Sequence, residues 1–335
     1  MKRVRSVAKV ALVFIFMVII AGSVVRMTGS GMGCPDWPKC FGYLIPPTNS
    51  NVLEWKANHA FEKGQMIIKN ETLLVAQQDF TSSSTYVANH WKKYDKHDYA
   101  TFNVAHTWTE YINRLIGALS GLPVLLLVIV SFLNRKKSSW LTLLSLATLF
   151  MLGFEAWLGK KVVDGNLIPG QITIHMIGAV IIVILLLAII AKTHLNNIKI
   201  GAQWKALLWF CVGLSIVQII FGSQVREQVD HLLETGLARK NIIESVDSFF
   251  EWHRSLAILV VLANGLFIWK NRLALNTNHL KWLGAFISLE IIAGIALSYL
   301  NLISWIQPIH LLLALLILTV QVHLLFRSYC KSNTY

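Results

Sequence analysis

Long apolar runs alternate with short polar connections along this chain. Eight runs stand out, at about 7–26, 105–133, 140–159, 169–191, 203–224, 250–269, 281–300 and 304–326. A helix needs roughly 20 apolar residues to cross a bilayer core of about 30 Å. The runs are continuous rather than alternating. Lipid satisfies no backbone polar group, so spanning segments are helices or closed barrels, and this pattern predicts eight transmembrane helices. Two polar stretches interrupt it, over 27–104 and 226–249. The longer one opens with glycine and proline, and its mixed stretch Glu54–Gln78 reads as an outer helix. Ser82–Ser84 and the Lys92–Lys96 region read as solvated, and no separate soluble domain with its own core is expected.

The pattern occurs twice. Gly22-Ser23-Val24-Val25-Arg26 closes the first run, and Gly222-Ser223-Gln224-Val225-Arg226 closes the fifth. Asn113-Arg114 corresponds to His253-Arg254, Glu155 with Gly159 to Glu290 with Gly294, and Ile174-His175 to Ile309-His310. Internal similarity at this spacing predicts duplicated architecture. The expected fold is an all-α integral membrane protein of eight transmembrane helices, arranged as two pseudo-symmetric four-helix bundles. Residues 1–200, with the outer loop 27–104, form one half, and 201–335 the other.

Charge orients this plan. Lys2, Arg3, Arg5 and Lys9 precede the first run, and Arg135, Lys136 and Lys137 follow the second. Lys192, Lys199 and Lys205, then Lys270, Arg272 and Lys281, and finally Arg327 and Lys331 fall on the same side if the helices alternate. This positive-inside bias predicts cytoplasmic termini and a cell-membrane location, with the polar stretches 27–104 and 226–249 outside. The basic start and first apolar run resemble a signal peptide, but no small-residue cleavage site follows, so a retained first helix is expected. Composition agrees: 55% hydrophobic residues and a mean hydropathy of +0.56 exclude an ordinary soluble domain. The net charge of +13 follows from the loop bias and the lysine-rich outer loop, not from nucleic-acid binding.

Histidine within a membrane span is costly and marks function. His175 and His310 each lie about six residues into their runs, roughly 9 Å deep at 1.5 Å per residue. His253 and Asn113 reach comparable depth. Two facing imidazoles are an axial ligand set for haem iron, so His253 and His310 are candidate ligands in the second half. The first half offers His175 at the matching position and, in Asn113, a poor iron ligand. Glu110 lies one helical turn before Asn113 on the same face and is a candidate acid–base group. Glu251 and His106 are weaker candidates, as interface residues or, for His106, a substitute ligand. Arg26, Arg114, Arg226 and Arg254 stand near outer helix ends, where forked guanidinium groups bind carboxylates such as haem propionates. Glu155 and Glu290 are candidate partners for them. Cys34 and Cys40 lie in an outer, oxidising location, which favours a disulfide over a two-thiol metal site. Cys211 and Cys330 receive no role.

The stretch Met27–Gly42, with Cys34-Pro35-Asp36-Trp37-Pro38-Lys39-Cys40 inside it, resembles the first outer loop of the haem A synthase family. Glu110-Tyr111-Ile112-Asn113-Arg114 is similar to that family's glutamate–two residues–histidine–arginine motif, and Trp252-His253-Arg254 and Pro308-Ile309-His310 match its later ligand helices. The resemblance covers about 7–45 and 105–326, not the bulk of the loop at 46–104. It implies oxidation of the C8 methyl of haem O to a formyl group, through two hydroxylations and loss of water, to supply terminal oxidases. It also implies a haem b held by His253 and His310, with Arg254 and Arg226 as further cofactor-side residues. Substrate haem O would lie on the first half near His175, Asn113, Arg114 and Arg26, with Glu110 catalytic and Cys34–Cys40 paired. Implied partners are membrane lipid, a haem O-producing enzyme and an electron donor that the sequence does not name. Homo-oligomerisation is left open. Asn113 departs from the family pattern and puts bis-histidine ligation of the substrate haem in doubt. Two other readings compete: a membrane b-type cytochrome that carries electrons without altering haem, and a repeat-built transporter. The first needs two bis-histidine sites in most layouts. The second needs helices unwound at mid-membrane, whereas glycine and proline here cluster at run ends.

Overall fold

A computed structural model of the chain describes residues 1–95, 101–164, 170–194, 198–273, 275 and 278–330, with side chains described for all of these except 162–164. Lys96, Pro169 at the start of the fourth predicted run, and Lys331 lie outside the described residues. The helices are α1 (Lys2–Met27), α2 (Val104–Leu133), α3 (Ser139–Asp164), α4 (Gln171–Lys192), α5 (Ala202–Glu234), the short α6 (Arg239–Ser245), α7 (Ser248–Asn271), α8 (Asn278–Tyr299) and α9 (Ile306–Tyr329). Among the described residues, all of these except α6 are long and apolar enough to cross a membrane, eight in total. This is a multi-pass membrane protein.

Each spanning helix turns a narrow face inward. On α1, Val4, Ala8, Ala11, Ile15 and Ile19 are buried, while Val10, Val13, Met17 and Ile20 face out. That spacing of three and four is one side of an α-helix. The small residues Ala8 and Ala11 allow close helix approach, as membrane packing favours. The apolar outward faces suit a hydrocarbon surround. Local sequence fixes the starts: the Asn103 side chain accepts from His106 N–H at 3.2 Å to cap α2, and Asp247 accepts from Phe249 N–H at 3.0 Å to cap α7. Pro123 is accommodated inside α2 and Pro308 in the first turn of α9, where no amide hydrogen is needed.

The packing repeats. In the first half α1 touches α2 and α4, and α3 touches α2 and α4. In the second half α5 touches α7 and α9, and α8 touches α7 and α9. The halves meet through α4 against α9, flanked by α1 against α9 and α4 against α5. The last two contacts exchange under a two-fold relation, and the first lies on its axis. Val183, Leu186 and Ile189 of α4 and Leu315, Leu318 and Val322 of α9 form the centre of the main core.

Three expectations for the polar stretches are corrected. At 33 residues α5 is about 50 Å long, well beyond a bilayer core of about 30 Å, so it continues through Arg226–Glu234 where a loop was expected. Gly170, at φ +83°, precedes α4 and donates its N–H to Glu227 Oε1 on this overhang at 2.7 Å. The segment Glu54–Gln78 is not an outer helix. It contains β1 (Ala60–Phe61), β2 (Met66–Lys69) and β3 (Thr72–Ala76), with β4 (Phe80–Thr81) and β5 (Trp91–Lys93) following. β2, β3 and β5 make one antiparallel sheet, and β1 pairs with β4. Met66-Ile67-Ile68 and Leu73-Leu74-Val75 flank Asn70 and Glu71, both at positive φ, which is the mirror-image turn that a two-residue hairpin requires. Isoleucine and valine favour a pleated surface.

The loop also has cores of its own, contrary to expectation. Cys34, Cys40, Phe41, Leu53, Met66, Leu73 and Tyr94 form one cluster, and Phe61, Ile67, Ala76 and Trp91 another. Ile67 is fully buried in the second. Ile67→Ala should cost this small module about 3 kcal/mol. Limited proteolysis of membrane-embedded protein should then cut within 41–95 while the spanning helices stay intact.

Candidate functional site

In the second half, His253 on α7 and His310 on α9 face each other with ring centroids 6.3 Å apart and planes at 75°. Imidazole–metal bonds of about 2 Å on either side would put two ring centroids roughly 6 Å apart, so the spacing fits a shared metal. Both rings are seated against glycines on neighbouring helices. A Cβ on Gly222 of α5 would stand 3.1 Å from His253 Cε1, and one on Gly294 of α8 would stand 3.4 Å from His310 Cε1. Glu290 Oε2 on α8 is 3.2 Å from His310 Nδ1, within ion-pair distance but without hydrogen-bond geometry. A carboxylate behind a metal-ligating histidine fixes its ring orientation and raises its basicity. Gln218 of α5 donates to the His253 carbonyl at 3.0 Å, and its amide nitrogen lies 3.4 Å from His253 Nε2. His253 Nδ1 is a buried atom with no hydrogen-bond partner among the described residues.

The first half repeats part of this layout, with Asn113 where the second half has His253. Glu155 on α3 pairs with His175 Nδ1 on α4, as Glu290 does with His310. Gly178, one turn after His175, leaves the space that the Glu155 carboxylate fills. On α2, Asn113 faces Gly22 of α1, where a Cβ would lie 3.8 Å from Asn113 Oδ1, the counterpart of His253 over Gly222. The His175 side chain is 46% exposed and that of His310 is 25% exposed, so the first-half imidazole is the more open. Among the described residues no three His, Cys, Asp or Glu side chains cluster as a metal-ion site.

At the loop end of α2, one turn from Asn113, Glu110 and Arg114 form an ion pair. Glu110 Oε2 accepts from the Cys34 N–H at 2.8 Å. Arg114 donates to the carbonyls of Asp36 at 2.6 Å, Lys39 at 3.1 Å and Cys34 at 3.2 Å. Thr107 Oγ1 donates to the Gly33 carbonyl at 2.8 Å, and Gly33 lies so close to the His106 backbone that a side chain would collide with it. Cys34 and Cys40 form a disulfide. Asp36 Oδ2 accepts from Gly42 N–H at 2.9 Å, and burial pushes its carboxyl above the ordinary value despite the opposing pull of the Gly42 and Phe41 amides and Arg114.

A family model described as cytochrome oxidase assembly protein, COX15-CtaA, matches residues 5–322. The chain belongs to the COX15-CtaA family. It is similar to a heme A synthase of Shewanella oneidensis, 26% identical over 190 residues, covering 57% of this chain and 46% of that one. It is also similar to heme A synthases of Rickettsia prowazekii, 22% identical over 250 residues and covering 72% and 65%, and Flavobacterium johnsoniae, 21% identical over 352 residues and covering 94% of each. The match to the Shewanella oneidensis protein thus spans less than half of that relative's length.

Within this COX15-CtaA chain, the remaining candidates separate. Arg26 of α1 and Arg226 of α5 converge on the two oxygens of Asp230, each at 2.5 Å, and Arg226 also donates to the Arg26 carbonyl at 3.0 Å. This joins the two halves at the loop end. Arg254 is exposed and lies 5.7 Å from the Phe250 ring centroid, away from this group. Glu251 is exposed in the first turn of α7, where a carboxylate favours the helix dipole. His106 lies at the loop contact. Cys211 and Cys330 are free thiols.

Asp230 and Gln218 were missed in the sequence. Arg226 and Asp230 carry a signal, the spacing of four that pairs charges on a helix, but it is meaningful only if the helix continues past Arg226. Gln218 carries none. Glu110→Ala would leave the Cys34 N–H without an acceptor and the Arg114 charge without its carboxylate. The Cys34–Cys40 disulfide should then be reduced and alkylated at least several-fold faster than in the parent, read by mass spectrometry after a mild reductant pulse.

Proposed function

We propose that this chain is a haem A synthase, oxidising the C8 methyl of haem O to a formyl group. The observation that carries the reading is the unequal duplication of one site. The second half has two opposed imidazoles, and the first has one imidazole with its carboxylate and an asparagine opposite. A closed bis-imidazole centre suits electron transfer, and a site with a single imidazole suits a substrate that must enter, react and leave. In this reading residues 201–335 hold a resident haem b between His253 and His310, and residues 1–200 receive haem O beside His175 and Asn113. Haem b, when bound, supplies one-electron transfer.

The protein's part is positioning and protons. Glu290 fixes the His310 ring and Glu155 the His175 ring. Gly222, Gly294 and Gly22 leave room beside the ligand positions. Glu110 is the acid–base group of the first half, one turn from Asn113 on the same face of α2. Its link to the Cys34 amide keeps the disulfide loop over that end of the bundle. Arg26 and Arg226, held by Asp230 between the halves, are the arginines best placed for propionates, with Arg254 at the margin of the second half. Arg114 serves the same end by holding the loop. The lysine-rich helix ends face the cytoplasm and the loop end faces outward, in the cell membrane. A haem O-producing enzyme is the functional partner upstream.

Expression in cells that make haem O but not haem A, followed by haem extraction and mass analysis, tests this. Haem A or the hydroxylated intermediate should appear. His175→Ala should lower product by about two orders of magnitude or more, the scale of losing an essential positioned group, while leaving bound haem b in place. Bound haem with haem O unchanged in the parent protein would instead support the electron-carrier reading.

A further inference from the structure

α7 and α9 stand at opposite corners of the second bundle, each packed against both α5 and α8. His253 and His310 face one another across this diagonal. A second polar pair also spans it, and the proposed oxidation does not use that pair. Gln321 Nε2 on α9 donates to Asn264 Oδ1 on α7 at 2.9 Å, and both residues are fully buried.

The register ties the two pairs together. Asn264 lies eleven residues after His253, and Gln321 lies eleven after His310. Eleven residues make three helical turns to within about 20°, so each amide shares a face with the imidazole of its own helix, about 16 Å deeper. One turn below each imidazole, at Ala257 and Ala314, the side chains are short. The facing strip therefore reads His, Ala, Asn down α7 and His, Ala, Gln down α9.

Neighbouring bonds fix how the amides point. Asn264 Nδ2 donates to the Val260 carbonyl at 2.8 Å on its own helix, which leaves Oδ1 as the acceptor for Gln321. Gln321 Oε1 finds no partner among the described residues, so the bond to Asn264 is what holds that side chain. The first half carries nothing comparable at these places. The offsets that match Asn113 to His253 and His175 to His310 match Val124 to Asn264 and Leu186 to Gln321. Val124 and Leu186 are fully buried hydrocarbon. Apolar contact is non-directional, whereas a hydrogen bond fixes distance and angle.

We propose that the Asn264–Gln321 bond is a strap that sets the separation of α7 and α9, and with it the spacing of His253 and His310. The two amides are positioning residues. They keep both imidazoles at ligand distance, so the second half retains its group, while the unstrapped first half is free to exchange one. This role presupposes the haem b proposed above between His253 and His310.

Transfer of haem from the purified full chain to excess apomyoglobin, followed by absorbance, tests this. The protein is taken from cells that make no haem O, and its ferric spin state is read by electron paramagnetic resonance. Asn264→Leu with Gln321→Leu makes both positions apolar, so no unpaired buried amide remains. This double variant should release haem about three- to tenfold faster than the parent, the scale of one hydrogen bond between membrane helices. Part of its low-spin signal should become high-spin. Gln321→Met, which keeps the side chain's length and removes its donor, gives the same comparison if the double variant does not accumulate. Asn271→Leu removes another buried amide of α7, one that donates within its own helix to the Phe267 carbonyl at 2.9 Å, and should match the parent. Unchanged release and spin state without the strap would overturn the proposal, because the amides would then only satisfy one another. So would equal acceleration in Asn271→Leu, which would mean general loosening of α7. A parent chain lacking a bis-imidazole haem would instead remove the haem b reading, and the strap's role with it.

Discussion

A carboxylate on one membrane helix facing an imidazole on the next is the interaction around which each half is arranged. Glu155 meets His175 between α3 and α4, and Glu290 meets His310 between α8 and α9. Groups this polar are expensive in a bilayer unless they answer one another. Their pairing dictates which faces of the helices turn inward and how close the backbones come. Gly178 is small because the Glu155 carboxylate fills its side-chain space, and Gly222 is small because His253 lies against it. Asn113, in place of a residue matching His253, alters the donor set without disturbing the helix contact at that position. Asparagine is polar, of similar reach, and tolerated opposite Gly22.

The loop end is organised by a second buried ion pair. Glu110 and Arg114 sit one turn apart on α2 and together take one N–H and three carbonyls of the disulfide loop. The small β-module builds on this loop: Tyr94 donates to the Pro35 carbonyl at 2.5 Å, and Met66 N–H to the Phe41 carbonyl at 3.1 Å. A side chain at Gly42, φ +83°, would strike the Gly64 carbonyl. Three links therefore connect the module to the first-half site: sheet to disulfide loop, disulfide loop to Glu110–Arg114, and Glu110–Arg114 to Asn113 on the same helix. Across the bundle, Asp230 holds Arg26 and Arg226 together, so the same end of the molecule also ties the halves.

The spanning helices were legible in the sequence because lipid imposes length and apolarity on every one of them. The repeat exposed the candidate ligand positions: Asn113, His175, His253 and His310 stand out by residue type at matching places, and the structure sets His253 opposite His310. The polar stretches were less legible. Aqueous segments can close either as helix or sheet, and the apolar residues of Met66–Ala76 fit both until the positive-φ turn at Asn70 and Glu71 is known. Arg226–Glu234 looked like loop because charges end a membrane span, yet they do not end a helix in water. Arg114 follows a candidate ligand position directly, which suggests a propionate partner. Its engagement with loop carbonyls depends on how residues 34–39 fold back, which no local pattern encodes.

The central claim is that the second half alone carries a bis-imidazole centre. Electron paramagnetic resonance of the purified, oxidised protein tests it most directly. The account predicts one low-spin ferric signal of bis-imidazole type, retained in His175→Ala and lost in His310→Ala. Two such signals, or one that survives His310→Ala, would contradict it.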